Sequence, residues 1–308
     1  MKKILLSTAL IVGTAGVAAA EVTFNGYGRF GIDYNSGRVD AETRIFHRLR
    51  FNINAKTETD AGVTFGGRIR LQSDSGRNGA TLNTAYVYAE FEGFRLEVGN
   101  SNTAVDSAAL AFNSEIGITD FGAGDPLFGN YYEYESRAFS GTPNRMGVFV
   151  SYSVGDLNAR ASYVQEDQTD GDSDADEIAV SADYKFGPVT VSAAYANNGA
   201  GIEDLNYYFI GAEYAVNDVA NVGLLYFNTD GGDFFAEEDK VTLYGNYTFD
   251  KITVKGYVSS INSDFDYEED VAYGIGADYD IGGGRIAAGI ERNFDGDTVA
   301  DAGVRFNF

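Results

Sequence analysis

The segment VTFGGRIRLQ, residues 63–72, alternates at every position: Val63, Phe65, Gly67, Ile69 and Leu71 fall on one side, and Thr64, Gly66, Arg68, Arg70 and Gln72 on the other. Successive side chains of a strand point to opposite faces, so this segment offers one face to lipid and the other to water. Its length, about ten residues, is what a tilted strand needs to cross a bilayer. RIFHRLRFNINAK, residues 44–56, repeats the pattern, with Ile45, Leu49, Phe51 and Ile53 opposed to Arg48, Arg50, Asn52 and Asn54; only Phe46 and His47 break phase near one end.

The same period of two recurs along the chain and predicts sixteen strands, at 22–35, 44–57, 63–72, 82–91, 94–99, 145–154, 157–166, 177–186, 189–197, 205–216, 219–228, 239–249, 251–260, 270–280, 284–293 and 298–308. An even number permits antiparallel closure with both termini on one side of a membrane. Short turns, FEGF (91–94), VGDL (154–157), FGPV (186–189), VNDV (216–219) and FDKI (249–252), alternate with longer polar connections. These are read as periplasmic turns and extracellular loops; Pro188 sits in a turn, where its missing N–H breaks no ladder. The expected fold is an all-β, sixteen-stranded antiparallel transmembrane barrel, with no linker or composition shift to mark a second domain.

One connection, residues 100–144, is far longer than the others and holds Pro126 and Pro143. Unstructured segments of that length in a compact domain usually carry function. Leu110, Phe112, Ile116, Ile118, Phe121, Leu127 and Phe128 are too apolar to be left in solvent, so this loop is expected to fold into the lumen.

Composition agrees with a barrel: 22 Phe and 21 Tyr spread along the chain, 38 Gly, 3 Pro, and neither Cys nor Trp. Lys2 and Lys3, the apolar run from Ile4 to Val17 and Ala18-Ala19-Ala20 read as a secretory signal peptide over residues 1–20, leaving a barrel over 21–308. No other apolar run is long enough for a membrane helix. The net charge of −24 becomes −26, from 20 basic and 46 acidic residues, once the two lysines are removed. A chain this acidic is unsuited to nucleic acid; it attracts cations and repels polyanions.

GYGRFG, residues 26–31, matches a dinucleotide-binding glycine pattern, but that pattern must follow a strand and open a helix. Here it lies inside an alternating strand, and its glycines suit close packing at a subunit contact or at barrel closure. In DQTDGDSDADE, residues 167–177, Asp170, Asp172, Asp174 and Asp176 lie within one cation's reach and form a candidate calcium site, although the spacing is not that of an EF-hand. The competing reading is a solvated surface loop. His47 is the single histidine and there is no cysteine, so no catalytic residue is assigned and no cofactor is required.

The arginines are more informative. Arg29, Arg48, Arg50, Arg68 and Arg70 crowd into the first three strands, mostly in the water-facing phase, and predict a basic band on the inner wall. Ordinary lumen polarity is the alternative. The long loop offers the carboxylates such a band requires: Asp106, Glu115, Asp120, Asp125, Glu133 and Glu135.

FRLEVGNSNTA (94–104), YKFGPVTVSAAY (184–195) and the C-terminal AYGIGADYDIGGGRIAAGI…TVADAGVRFNF resemble the Gram-negative general diffusion porins, most closely the type found in photosynthetic alphaproteobacteria such as Rhodobacter. The resemblance covers the whole chain after the signal. It implies a homotrimer of outer-membrane barrels passing small hydrophilic solutes and ions, with the third extracellular loop narrowing each channel and calcium bound in some members. Phe308, with Phe306 and Val304 on one face, resembles the signal read by the barrel-assembly machinery; outer-membrane lipid and lipopolysaccharide are the implied surroundings. A sugar- or anion-specific channel of the same fold is the alternative, and a barrel enzyme or adhesin a more distant one.

Overall fold

A computed structural model describes residues 20–77, 79–125, 131–139, 144–169, 175–231 and 236–308. Residues 1–19 of the signal segment, Asp170, Asp172, Asp174, Leu127, Phe128 and two of the prolines, Pro126 and Pro143, therefore lie outside the described residues.

Seventeen strand segments form one antiparallel sheet: β1 (Glu21–Asn35), β2 (Thr43–Glu58), β3 (Thr64–Asp74), β4 (Ala80–Leu82), β5 (Tyr86–Phe91), β6 (Phe94–Gly99), β7 (Met146–Val154), β8 (Leu157–Gln165), β9 (Glu177–Phe186), β10 (Val189–Asn197), β11 (Asn206–Asn217), β12 (Ala220–Asp230), β13 (Glu238–Phe249), β14 (Ile252–Ser263), β15 (Val271–Asp280), β16 (Gly284–Arg292) and β17 (Thr298–Asn307). β4 and β5 both pair with β3 and share one position, so the barrel has sixteen strands. The break between them has a local cause. Asn83 takes the place of a ladder residue, its side-chain oxygen accepting from the Arg70 N–H at 2.6 Å while its own N–H donates to the Arg70 carbonyl at 2.9 Å. Its amide nitrogen then reaches the inner loop at Tyr134 Oη (2.7 Å) and the Glu135 carbonyl (2.8 Å).

The barrel closes between β1 and β17, where Tyr27 opposes Asn307 and Asn35 opposes Val299. Beyond the last strand residue, Phe308 and Gly26 exchange both backbone hydrogen bonds, at 2.9 and 3.1 Å. The glycines of β1 serve this seam. A Cβ on Gly28 would stand 2.4 Å from the Phe306 ring, and one on Gly26 3.2 Å from the Phe308 ring and 1.9 Å from the Arg50 carbonyl oxygen. The terminal aromatics roof the two glycines from outside, and Phe308 also meets Phe51 at 4.9 Å.

Alternation holds through the strands. Phe24, Ile45, Leu49, Phe65, Ile210, Leu243 and Ile275 face outward and are exposed, as a lipid-facing band requires. Phe91, Phe94, Tyr152, Tyr184, Phe186, Tyr247 and Phe249 cluster beside the short turns, as an aromatic girdle. In the FEGF turn Glu92 and Gly93 have φ of 46° and 83°, the doubly left-handed pair that matches the twist of a two-residue hairpin.

Candidate functional site

The connection between β6 and β7 lies inside the barrel, and its two sides differ chemically. Toward β9–β14 it is apolar: Ala104, Val105, Ala108, Leu110, Ala111, Ile116 and Tyr131 pack with Leu205, Tyr207, Phe209, Leu225, Phe227, Tyr244 and Tyr257 of the wall and the connection before β11. Its backbone donors are satisfied by carboxylates on the wall: Ala109 N–H by Asp183 (3.0 Å), Tyr132 N–H by Glu177 (2.8 Å) and Ala123 N–H by Glu291 (3.0 Å). A buried loop strands polar backbone groups unless such partners exist.

The far end of the loop, Gly117–Asp120, is clasped by the seam strands. Asp301 of β17 accepts from the N–H groups of Ile118 (2.9 Å) and Thr119 (2.8 Å) and from the Thr119 hydroxyl (2.6 Å). Arg29 donates to the Thr119 carbonyl at 2.9 Å. The register explains the Asp120 contacts. Arg285, Arg305, Arg29 and Arg48 are direct cross-strand neighbours over β16, β17, β1 and β2. Like charges placed side by side repel. Asp120 relieves this row by pairing with Arg285 (2.5 Å), Arg305 (2.7 Å) and Arg29 (3.6 Å), and Asp74 pairs with Arg48 at the other end (2.5 Å).

One step along the lumen, Arg50, Arg68 and Arg70 border an aqueous space of about 800 Å³ together with Arg48, Arg95 and Arg137. Asp106, Glu133 and Glu135 of the loop line the same space. Tyrosine faces hold the guanidinium planes: Arg50 over Tyr27 (5.0 Å), Arg70 over Tyr134 (4.5 Å) and Arg95 over Tyr88 (3.6 Å).

The sequence-predicted residues therefore divide. Arg48, Arg50, Arg68 and Arg70 meet Asp106, Glu133 and Glu135 around one space, while Arg29 and Asp120 belong to the clasp. Asp125 does not join the arginine band: it lies on the wall side of the loop, where Lys240 donates to its carbonyl and Ser114 to its carboxylate at 3.2 Å. Glu115 lies within the influence of Asp125, Asp120, Lys255 and Arg285 and does not line the space that Arg50, Arg68 and Arg70 border. Ile116, packed with the apolar residues of the wall, turns that side of the loop toward it. Desolvation and mutual repulsion push Glu115 up to about 9 and desolvation pushes Asp125 up to about 7. Of the calcium candidates, Asp176 accepts the Tyr163 hydroxyl at 2.5 Å, and no cluster of three metal-ligating side chains occurs among the described residues.

Arg285, Arg305, Asp301 and Asp74 were not evident as site residues from sequence order. Arg285 and Arg305 lie at the opposite end of the chain from Arg29, and only closure makes them neighbours. Their water-facing phase, combined with a β1–β17 register, is the signal that finds them.

A closed barrel with a lipid-compatible exterior and a charged aqueous lumen narrowed by its own loop defines a transmembrane diffusion channel. The Gram-negative porin family matches residues 7–301. A porin of Fuscovulum blasticum is 41% identical over 296 residues, covering 94% of this chain and all of that one, and a porin of Rhodobacter capsulatus is 30% identical over 317 residues with the same coverage. Solved structures of Rhodopseudomonas blastica porin variants superpose with a TM-score of 0.87 at 40% identity, covering 94% of this chain and 100% of theirs. The chain belongs to the Gram-negative porin family. It is an outer-membrane porin, a water-filled channel for passive diffusion, and not an enzyme.

Proposed function

We propose that the space between the arginine wall and the inner loop is the constriction, and that the fixed charges on its two sides set what passes. The observation that carries this reading is the meeting of Arg48, Arg50, Arg68 and Arg70 with Asp106, Glu133 and Glu135 around one aqueous gap. Opposed charges make a transverse field that orients dipolar solutes and penalises apolar ones, which must displace water held by the charges. A sugar slide needs bare aromatic faces, whereas guanidinium groups cover the Tyr27, Tyr134 and Tyr88 rings.

With a net charge of −26 once the signal is removed, from 20 basic and 46 acidic residues, the pore is expected to prefer cations weakly, less so at high salt, because the Debye length falls from ~10 Å at 0.1 M to ~3 Å at 1 M. Neutralising Arg48 and Arg50 together should raise the preference, read as a reversal potential under a salt gradient. A reversal potential unmoved by that double substitution would remove these residues from the constriction.

The loop acids give the selectivity a pH dependence. Desolvation, with the nearby Glu133 charge, pushes Asp106 up to about 7; desolvation and Glu135 push Glu133 up as well. A raised carboxyl pKa means the negative charge is present above it and lost as pH falls through it. Cation preference should therefore drop between about pH 8 and pH 6, well above the pH where an ordinary carboxylate of pKa ~4 titrates. Asp106→Asn should flatten the profile; a wild-type profile already flat to pH 5 would place Asp106 away from the permeation path.

The chain acts as a homotrimer, exported by a signal over residues 1–20, assembled by the barrel-assembly machinery through its C-terminal face and set in lipid and lipopolysaccharide. Gly26 and Gly28, roofed by Phe308 and Phe306, serve the seam, while Ala300 and Ala302 near the C-terminus and Ala55, Gly67 and Ala89 of β2, β3 and β5 supply an outer wall that neighbouring barrels can approach closely. Cross-linking in detergent should trap trimers that dissociate only on heating; monomers alone would count against it.

A further inference from the structure

Two groups of arginines share the lumen, and they are compensated unequally. The row Arg285–Arg305–Arg29–Arg48 holds two carboxylates, Asp120 and Asp74, in direct ion pairs. Arg50, Arg68 and Arg70, the next guanidinium groups along the wall, form no ion pair among the described residues. Their partners are neutral: Arg50 donates to Gln72 Oε1 (2.6 Å), Arg68 to Asn54 Oδ1 (2.7 Å) and Arg70 to Asn52 Oδ1 (2.7 Å). Arg50 and Arg70 also converge on one neutral acceptor, the Ser136 hydroxyl of the loop, at 3.1 and 2.6 Å. Three formal positive charges thus border an open aqueous space with no carboxylate bound to any of them, in a chain of net charge −24.

We infer that Arg50, Arg68 and Arg70, with Ser136, form a binding site for a small doubly charged oxyanion of the hydrogen phosphate type. The chemistry fits on three counts. Guanidinium forks match tetrahedral oxyanions and bind them by charge-assisted hydrogen bonds. The side-chain acceptors on Gln72, Asn54 and Asn52, together with the tyrosine faces, fix the guanidinium groups before a ligand arrives, so little ordering is required on binding. Ser136 accepts from two arginines, which leaves its own hydroxyl proton to donate. Glu133 and Glu135 across the same space keep the affinity low, which lets a bound ion leave again and makes the site a stopping point rather than a plug. The inference rests on the diffusion channel proposed above but not on its preference among monovalent ions.

The test is the current through the purified porin in planar bilayers, with potassium chloride at fixed concentration and inorganic phosphate added above pH 7.5, so that the dianion predominates. The expected result is a saturable fall in chloride-carried current as phosphate rises. Arg50→Gln/Arg70→Gln should shift half-inhibition to at least about tenfold higher phosphate, the effect of losing one charged hydrogen bond or more. Ser136→Asp keeps every wall side chain and places a carboxylate between the two guanidinium groups; it should abolish the saturable block outright, and it serves if the double substitution does not assemble. A wild-type current that simply follows bulk conductivity would overturn the site while leaving the channel standing. Saturable block that survives in Ser136→Asp would overturn it equally, by locating the anion elsewhere. Absence of any ionic current in the wild type would instead overturn the channel.

Discussion

Replacing Asp301 by alanine should free the tip of the inner loop and increase single-channel conductance. One carboxylate accepts three hydrogen bonds from Ile118 and Thr119. Bonds to a charged acceptor contribute about 1.5–3 kcal/mol each, so three of them hold the tip by about 4.5 kcal/mol or more, enough to take it from almost always docked to often released. The rest of the loop should stay in place, because its apolar side remains packed on β9–β14. The expected record is a larger conductance with more open-channel noise. Unchanged conductance and noise would mean that the arginine pairs to Asp120 hold the tip without Asp301.

Deleting Phe308 should lower the amount of protein in the outer membrane far more than it changes the finished pore. The direct losses are two backbone hydrogen bonds to Gly26 and a ring that is still about half exposed (47%). At about 1 kcal/mol per neutral bond and a similar amount for the ring, the completed barrel loses only ~3 kcal/mol. That is small beside the pairing that remains between β1 and β17. A large deficit in the cell must then arise before closure, when Phe308, Phe306 and Val304 still form one outward-facing apolar edge for recognition. Surface levels of the truncated porin should fall at least about tenfold, while protein refolded in detergent conducts normally. Normal surface levels would sink the recognition role; refolded protein without conductance would shift the explanation to the seam.

Strand positions were legible because lipid outside and water inside impose a period of two, which VTFGGRIRLQ displays without interruption. The predicted strand 82–91 was broken because Asn83 exchanges a ladder position for contacts to the inner loop, a trade invisible along one dimension. The loop's inward course followed from its apolar content, yet that content could not say which acids face water. Asp125 is drawn to the wall by Ser114 and Lys240, partners that its own sequence neighbourhood does not announce, whereas Asp106 and Glu133 line the gap. Arg285 and Arg305 were missed for a different reason, since proximity created by closure has no signature in local spacing.

The apolar packing under the loop bears on whether the lumen holds water at all. Tyr207, Phe209, Leu225 and Phe227 line the inner wall, although their strands are also apolar outside. Left bare, such a surface inside a narrow tube favours vapour over liquid, and dewetting interrupts ion flow even where the geometric opening is wide. The loop covers it and presents Asp106, Glu133 and Glu135 in its place. Stripping the whole loop away would therefore not give a wider conductor in proportion to the volume removed. The narrowing element is also the lining that keeps this half of the channel wet.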